Sequence, residues 1–209
     1  MPTPRPLPSN PQESEPDVFI IESLRISDEI NQRFEGEALS KCLRIAGLKP
    51  IYQYVKNAEE FSDAIKSFNY SNYRFLHVSV HGSIDSIETT HEIISNIELA
   101  NMLSNKLNLR RIFFSSCHVG SSTLLDLLCV KNPNLHSFSA PSNTIPFDIA
   151  LAFWTSFYIK QFHQRRMNLG ITSMIRNLTT LCNFFEVRIS LRYFNSKTKK
   201  HLPRTLPPD

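Results

Sequence analysis

The sequence predicts one α/β domain built on a mainly parallel sheet with helices on both faces. Short apolar runs alternate with amphipathic helical stretches from residue 17 to residue 196. The runs are apolar throughout rather than every second residue, the pattern of strands buried on both faces. The chain of 209 residues is 41% hydrophobic and 20% charged, ordinary for one globular core.

Val18-Phe19-Ile20-Ile21 reads as the first strand. Residues 28 to 46 follow as a helix, with Leu39, Cys42, Leu43 and Ala46 on one face and Gly47 and Pro50 closing it. Ile51 to Val55 is a second strand and residues 58 to 69 a second helix, its apolar side Phe61, Ile65 and Phe68. Arg74 to Val80 forms the third strand, ended by His81-Gly82. A polar loop is expected from Ser83 to about Ser95, then a helix over 97 to 108. The fourth strand, Arg111 to Ser116, ends at Cys117. A helix begins near Ser121, Leu135 to Ala140 is a fifth strand, and helices cover 147 to 163 and 171 to 185. Val187 to Tyr193 is read as the last strand. Such alternation implies crossover connections and parallel pairing.

The ends read differently. Residues 1–16 hold six of the thirteen prolines and are expected to be a disordered leader. Residues 197–209 are expected to be a basic, proline-containing tail. Arg188, Arg192, Lys197, Lys199, Lys200 and Arg204 crowd this end and account for the net charge of +4. They are read as solvated, not as a nucleic-acid face, which needs basic residues interleaved with aromatics on a folded element. The N-terminus has no apolar core of a signal peptide. The longest apolar stretch, Ile145 to Ile159, carries Asp148 and is shorter than a membrane span of about 18 residues. The expected setting is therefore the cytoplasm, with no membrane partner and with Cys42, Cys117, Cys129 and Cys182 as reduced thiols.

In open parallel sheets ligands bind beyond the carboxyl ends of the strands. His81 and Cys117 stand at two such ends, on successive strands. Of five glycines, Gly82 follows His81 directly and Gly120 lies three residues past Cys117, which suggests sharp turns where the backbone approaches a substrate. A thiol beside an imidazole and ahead of a helix N-terminus is an activated nucleophile. Backbone N–H groups at Gly82 and Cys117 form the candidate oxyanion hole. Singly, a strand-end cysteine is a small core residue and a His before Gly a turn residue; the pairing carries the argument.

These residues resemble a known family. Phe75 to Gly82, ending in His-Gly, looks like the histidine strand of the caspase-like cysteine peptidases. Phe113 to Gly120, with its Ser-Ser-Cys-x-x-Gly pattern, is similar to the cysteine strand of the CHAT branch. Val18 to Gly47 resembles the first strand and helix of that fold, and Phe147 to Phe157, with Asp148 and Trp154, an aromatic-rich CHAT segment. The resemblance spans about residues 17 to 185. It implies a caspase-like peptidase domain over 17–196 that cleaves a protein substrate, with His81 as base, Cys117 as nucleophile and no metal or organic cofactor. It also suggests a defence role, with a gasdermin-like pore-forming substrate. The Gln-Ala-Cys-x-Gly signature of true caspases is absent, so cleavage after aspartate is not implied.

Arg25, just after the first strand, stands loosely where caspases keep a substrate-binding arginine; a solvated role is the plainer reading. Asp85 or Glu88 is a candidate to orient the imidazole. His118 is assigned to the surface or a supporting position, because adjacent strand residues point to opposite faces, and His77 to the packed core. A zinc site at His81, Cys117 and His118 lacks the paired cysteines such sites use. His91-Glu92-Ile93-Ile94-Ser95 lacks the second histidine of His-Glu-x-x-His, and no phosphate loop, dinucleotide fingerprint or G-x-S-x-G elbow occurs. Two rival readings remain at this stage. One is a catalytically inactive interaction module of the same fold. The other is a flavodoxin-like regulatory domain with a fortuitous His and Cys pair.

Overall fold

The structure, a computed structural model, describes residues 14–121, 123–163 and 170–208. Its elements in chain order are β1 (Glu15–Glu22), α1 (Ile26–Ile30), α2 (Glu35–Ile45), β2 (Ile51–Tyr54), α3 (Ala58–Ser71) and β3 (Tyr73–Ser79). Then come β4 (His81–Gly82), β5 (Ser86–Glu88), β6 (Ile93–Ser95), α4 (Asn96–Met102), β7 (Arg111–Ser115) and α5 (Leu124–Lys131). The last are β8 (Ser137–Pro141), α6 (Phe147–His163), α7 (Ile171–Phe185), β9 (Ile189–Asn195) and β10 (Lys200–Leu206).

Seven strands form one sheet in the order β10-β9-β8-β7-β3-β1-β2. The pairs β2/β1, β1/β3, β3/β7 and β7/β8 are parallel, whereas β8/β9 and β9/β10 are antiparallel. The sheet is thus mainly parallel, as the continuous apolar runs predict. Alternation along β1 divides the core. Phe19 and Ile21 pack with Phe61 and Phe68 of α3, Leu99 of α4 and Leu125 of α5. Val18 and Ile20 join Leu39 and Leu43 of α2, Trp154 and Phe157 of α6 and Leu178 of α7. Both faces of the sheet are therefore covered.

Local signals explain some of the helix boundaries. Asn57 caps α3 by accepting from the Glu60 N–H at 2.9 Å, and Asn72 ends it in the left-handed conformation, φ 60°. Ser95 and Glu98 form a capping box on α4. At α2 the cap comes from a distant strand: buried Glu22 of β1 accepts from Gly36 N–H at 2.6 Å and Glu37 N–H at 3.0 Å. Two N–H groups left over at a helix start are thereby satisfied.

Several expectations are corrected. The helix expected over 28 to 46 is two helices, because the chain turns at 31–34 before α2 begins. The loop expected from Ser83 to Ser95 contains two short strands: β5 pairs antiparallel with β4 and β6 with β5, forming a small second sheet that buries Ile87 and Ile94 in the core. The tail expected at 197–209 is instead largely strand: β10 pairs with β9 from Lys200↔Asn195 to Leu206↔Ile189, and Leu206 is fully buried. Residues 1–13 of the expected leader lie outside the described residues, Ser14 is buried and β1 opens at Glu15. Among the described residues no helix is long and apolar enough to cross a membrane.

Candidate active site

Neighbouring parallel strands β3 and β7 pair with Ser79 opposite Ser115. His81 follows Ser79 by two residues and Cys117 follows Ser115 by two, so both leave the same end of the sheet at the same height. Both side chains line one cavity of about 60 Å³, together with Glu35, Ser79, Val80, Ser115, Ile145, Phe147 and Ala150. The two backbones touch there. A Cβ at Gly82 would sit 2.7 Å from Val119 Cγ2 and 2.8 Å from the Cys117 carbonyl oxygen. Gly120 is pressed in the same way on β8, where a Cβ would lie 2.6 Å from the Pro141 carbonyl oxygen. The glycines beside the site thus allow strand to meet strand, a different use from the sharp turns expected of them.

The histidine is held from an unexpected direction. Its Nε2 lies 2.7 Å from Asp28 Oδ2, with the two side chains 21% and 10% exposed, so the pair is largely sheltered from water screening. Asp28 sits on α1, which follows β1, and β1 is the neighbour of β3 in the sheet. Topology therefore brings Asp28 to His81, and the loop acids expected there are engaged elsewhere. Asp85 is exposed in the turn between β4 and β5. Glu88 accepts from Arg25 Nε at 2.8 Å and Nη2 at 2.6 Å. The imidazole of His81 packs edge-on to Phe147, with ring centroids 5.5 Å apart. With Nε2–H donating to the carboxylate, Nδ1 is the nitrogen left to exchange a proton.

Cys117 is half-buried, and the Ile145 N–H points at its Sγ from 3.5 Å. The next residue, His118, adopts φ 60°, a left-handed conformation sparsely used by residues with a Cβ, and turns the chain sharply after the thiol. His118 Nε2 meets Thr144 Oγ1 at 3.0 Å, and its N–H donates to Asn143 O, so it braces the loop after β8. The Glu88 hydrogen bond raises the Arg25 pKa further, with smaller contributions from the charges of Asp28 and Cys117. Arg25 is thus already paired with Glu88, and it is not among the residues that line the cavity.

Beneath the site lie further buried ionisable groups. His77 is fully buried, with Nδ1 3.0 Å from the Tyr158 hydroxyl, and burial pushes its pKa down to about 3. It is the packed core residue expected. Glu35, the first residue of α2, is fully buried; burial lifts its carboxyl to about 8, against the lowering effect of the Ser79 hydroxyl that donates to it. Glu22 is raised to about 7, again by burial. Among the described residues no group of three His, Cys, Asp or Glu side chains is placed to hold a metal ion.

No protein-family model matches the sequence, and no curated protein matches it. Solved structures do. The chain superposes on a secreted C11 cysteine protease from Bacteroides thetaiotaomicron, in complex with an irreversible peptide inhibitor, with TM-score 0.54 and 12% identity over 86% of its own length. A second structure of such a protease, iotapain, gives 0.55 and 11%. In both cases the chain spans 66% of the protease, just under two thirds. Caspase-1 from Spodoptera frugiperda matches with TM-score 0.53 and 14% identity, over 100% of this chain and 96% of that one. At such identities the likeness is one of fold: the chain has the caspase-like α/β fold.

Proposed function

We propose that the chain is a cysteine endopeptidase in which His81 and Cys117 act on a protein substrate. The observation that carries this reading is their equal offset beyond the paired residues Ser79 and Ser115, lining one cavity. The Cys117 thiol gives its proton to His81 Nδ1, and the thiolate bonds to the scissile carbonyl carbon. The carbonyl electrons move to oxygen, and the main-chain N–H groups of Gly82 and Cys117 are the assigned donors to that oxyanion. The C–N bond then breaks, and the leaving amine takes the proton back from His81. Water, deprotonated by His81, hydrolyses the thioester and restores the thiol.

Asp28 is assigned as a positioning residue. Its carboxylate fixes the tautomer of His81 and stabilises the imidazolium that forms in each half-reaction. The Ser-Ser-Cys-x-x-Gly pattern supports placement in the CHAT branch, and with it a cytoplasmic defence role and a gasdermin-like substrate belong to the same proposal.

A peptide-library assay on wild type beside Cys117→Ala, His81→Ala and the double variant tests the proposal. Each single variant should lose cleavage, and the double should be little worse, because residues acting as one unit are non-additive. Undiminished cleavage by Cys117→Ala would refute the assignment.

A further inference from the structure

The cavity beside Cys117 has a composition that the chemistry above does not use. Its walls are the apolar side chains of Val80, Ile145, Phe147 and Ala150 together with the serines Ser79 and Ser115. Apart from His81 and Cys117, the one ionisable group lining it is Glu35. One oxygen of that carboxyl accepts from the Ser79 hydroxyl, the Ser115 hydroxyl lies close enough to lower its pKa, and Oε1 is 3.9 Å from the Nε2 of His77. Its polar neighbours are thus hydroxyls and a buried imidazole, groups that solvate a carboxylate without balancing its charge.

The charge balance says which guest. Glu22 and Glu35 are neighbouring buried acids, and among the described residues neither forms an ion pair with a lysine or arginine. The nearby guanidinium groups are taken, Arg25 by Glu88 and Arg33 by Asp28. Both glutamates are held above their ordinary range, first by burial, and no adjacent cation opposes it. An ammonium group entering the cavity supplies the missing charge. Burial disfavours the Glu35 carboxylate, and a cation beside it favours that same charged form.

Size separates the two basic side chains. A cavity of about 60 Å³ holds roughly four to six water-sized groups, at about 10–15 Å³ each. That suits the compact charge on the flexible stem of lysine, and is cramped for the wide planar fork of arginine. The apolar walls match the methylene stem.

We infer that this cavity receives the substrate side chain on the acyl side of the scissile bond, that it selects lysine, and that Glu35 is the residue that selects it. The inference rests on the endopeptidase reading, since only then does the pocket touching Cys117 belong to the residue whose carbonyl is attacked. It runs against cleavage after aspartate, which would set a second carboxylate against Glu35.

The test uses fluorogenic tetrapeptide amides that differ only in the residue before the cleaved bond: Lys, Arg, Asn, Ala or Asp. Wild type should cleave the lysyl substrate at least about tenfold better than any other. Glu35→Gln keeps the shape and removes the charge. It should lose lysyl cleavage by at least about 100-fold, a floor below the roughly 10⁴-fold seen where a buried polar group is left wholly unmatched, while Cys117 alkylation by iodoacetamide stays at the wild-type rate. Ala150→Leu offers a second route by filling the cavity, and should move the preference to alanine. Cleavage that favours another residue, or an unchanged lysyl rate in Glu35→Gln, overturns the inference and leaves the peptidase reading intact. Failure of wild type to cleave any of the five, with Cys117 still alkylated, overturns the peptidase reading and this inference with it.

Discussion

Gly82→Ala tests whether the contact between the His81 and Cys117 backbones matters. The new Cβ would lie 2.7 Å from Val119 Cγ2 and 3.0 Å from Ser116 Cβ, where unstrained carbons sit about 3.5 Å apart or more. Relief requires a separation of about 0.8 Å, the difference between 3.5 and 2.7 Å. The 2.8 Å approach to the Cys117 carbonyl pushes in the same sense, prising β4 from the turn that carries the thiol. A misplacement near 1 Å costs about 10²-fold in rate. Overpacking of this kind costs about 1–3 kcal/mol of stability, or about 2–12 °C in Tm for a chain of this size. Steady-state peptide cleavage, iodoacetamide alkylation of Cys117 and a thermal melt on the same samples read all three effects. A variant that melts a few degrees lower but keeps wild-type kcat/KM would refute the claim that this contact sets the reacting geometry.

Three further outcomes are expected. Asp28→Asn should lower kcat far more than it raises KM, toward the 10⁴-fold cost of losing a tautomer-fixing carboxylate, and should shift the acidic limb of the pH profile downward; an unshifted profile refutes its role. Burial holds Glu35 and Glu22 to about 8 and about 7, above the ordinary 4.5, so from 4.5 up to those values the folded chain binds more protons than the unfolded one and stability falls as pH rises. Burial pushes His77 down to about 3 from 6.5, so it acts oppositely, withdrawing stability as pH falls through that window. Tm should therefore decline from pH 6.5 to 8, each group contributing at most about 1.4 kcal/mol per pH unit, and Glu35→Gln should flatten the decline; a Tm rising over that range contradicts it. Finally, Cys117 should be alkylated ahead of Cys129 and Cys182, whose thiols burial pushes up to about 11 and about 12; peptide mapping that finds either reacting as fast removes the case for an activated thiol.

The strands flanking the site were legible because central parallel strands must be apolar on both faces, and Phe75 to Val80 and Ile112 to Phe114 are so apart from His77 and Ser79. The ends of those runs gave His81 and Cys117. Asp28 escaped notice because nothing in its own segment distinguishes it from other helix-start acids; only the placement of β1 beside β3 brings it to the imidazole. Glu35 was hidden for a related reason: a glutamate in a first helical turn reads as solvated, and tertiary burial overrides that. β10 was missed because an edge strand holding Lys200, Pro203 and Arg204 carries little apolar signal. β5 and β6 are three residues each, too short to show an alternation. Cys42 and Ala46, placed on the apolar face by their spacing, are partly exposed and exposed, because the buried face of α2 runs instead through Gly36, Leu39, Ser40 and Leu43.

The β9–β10 hairpin bears on how the molecule can be joined by another chain. Among the described residues β10 forms one border of the large sheet, with Lys200 and Arg204 exposed and Pro203 lacking an N–H at its middle. The opposite border, β2, is four residues long and preceded by Pro50. Neither offers the long, flat, apolar margin on which an extended peptide adds itself as a further strand. Under the proposed function, a polypeptide substrate is then left the carboxyl ends of β3 and β7, crossing the sheet's end instead of lengthening it.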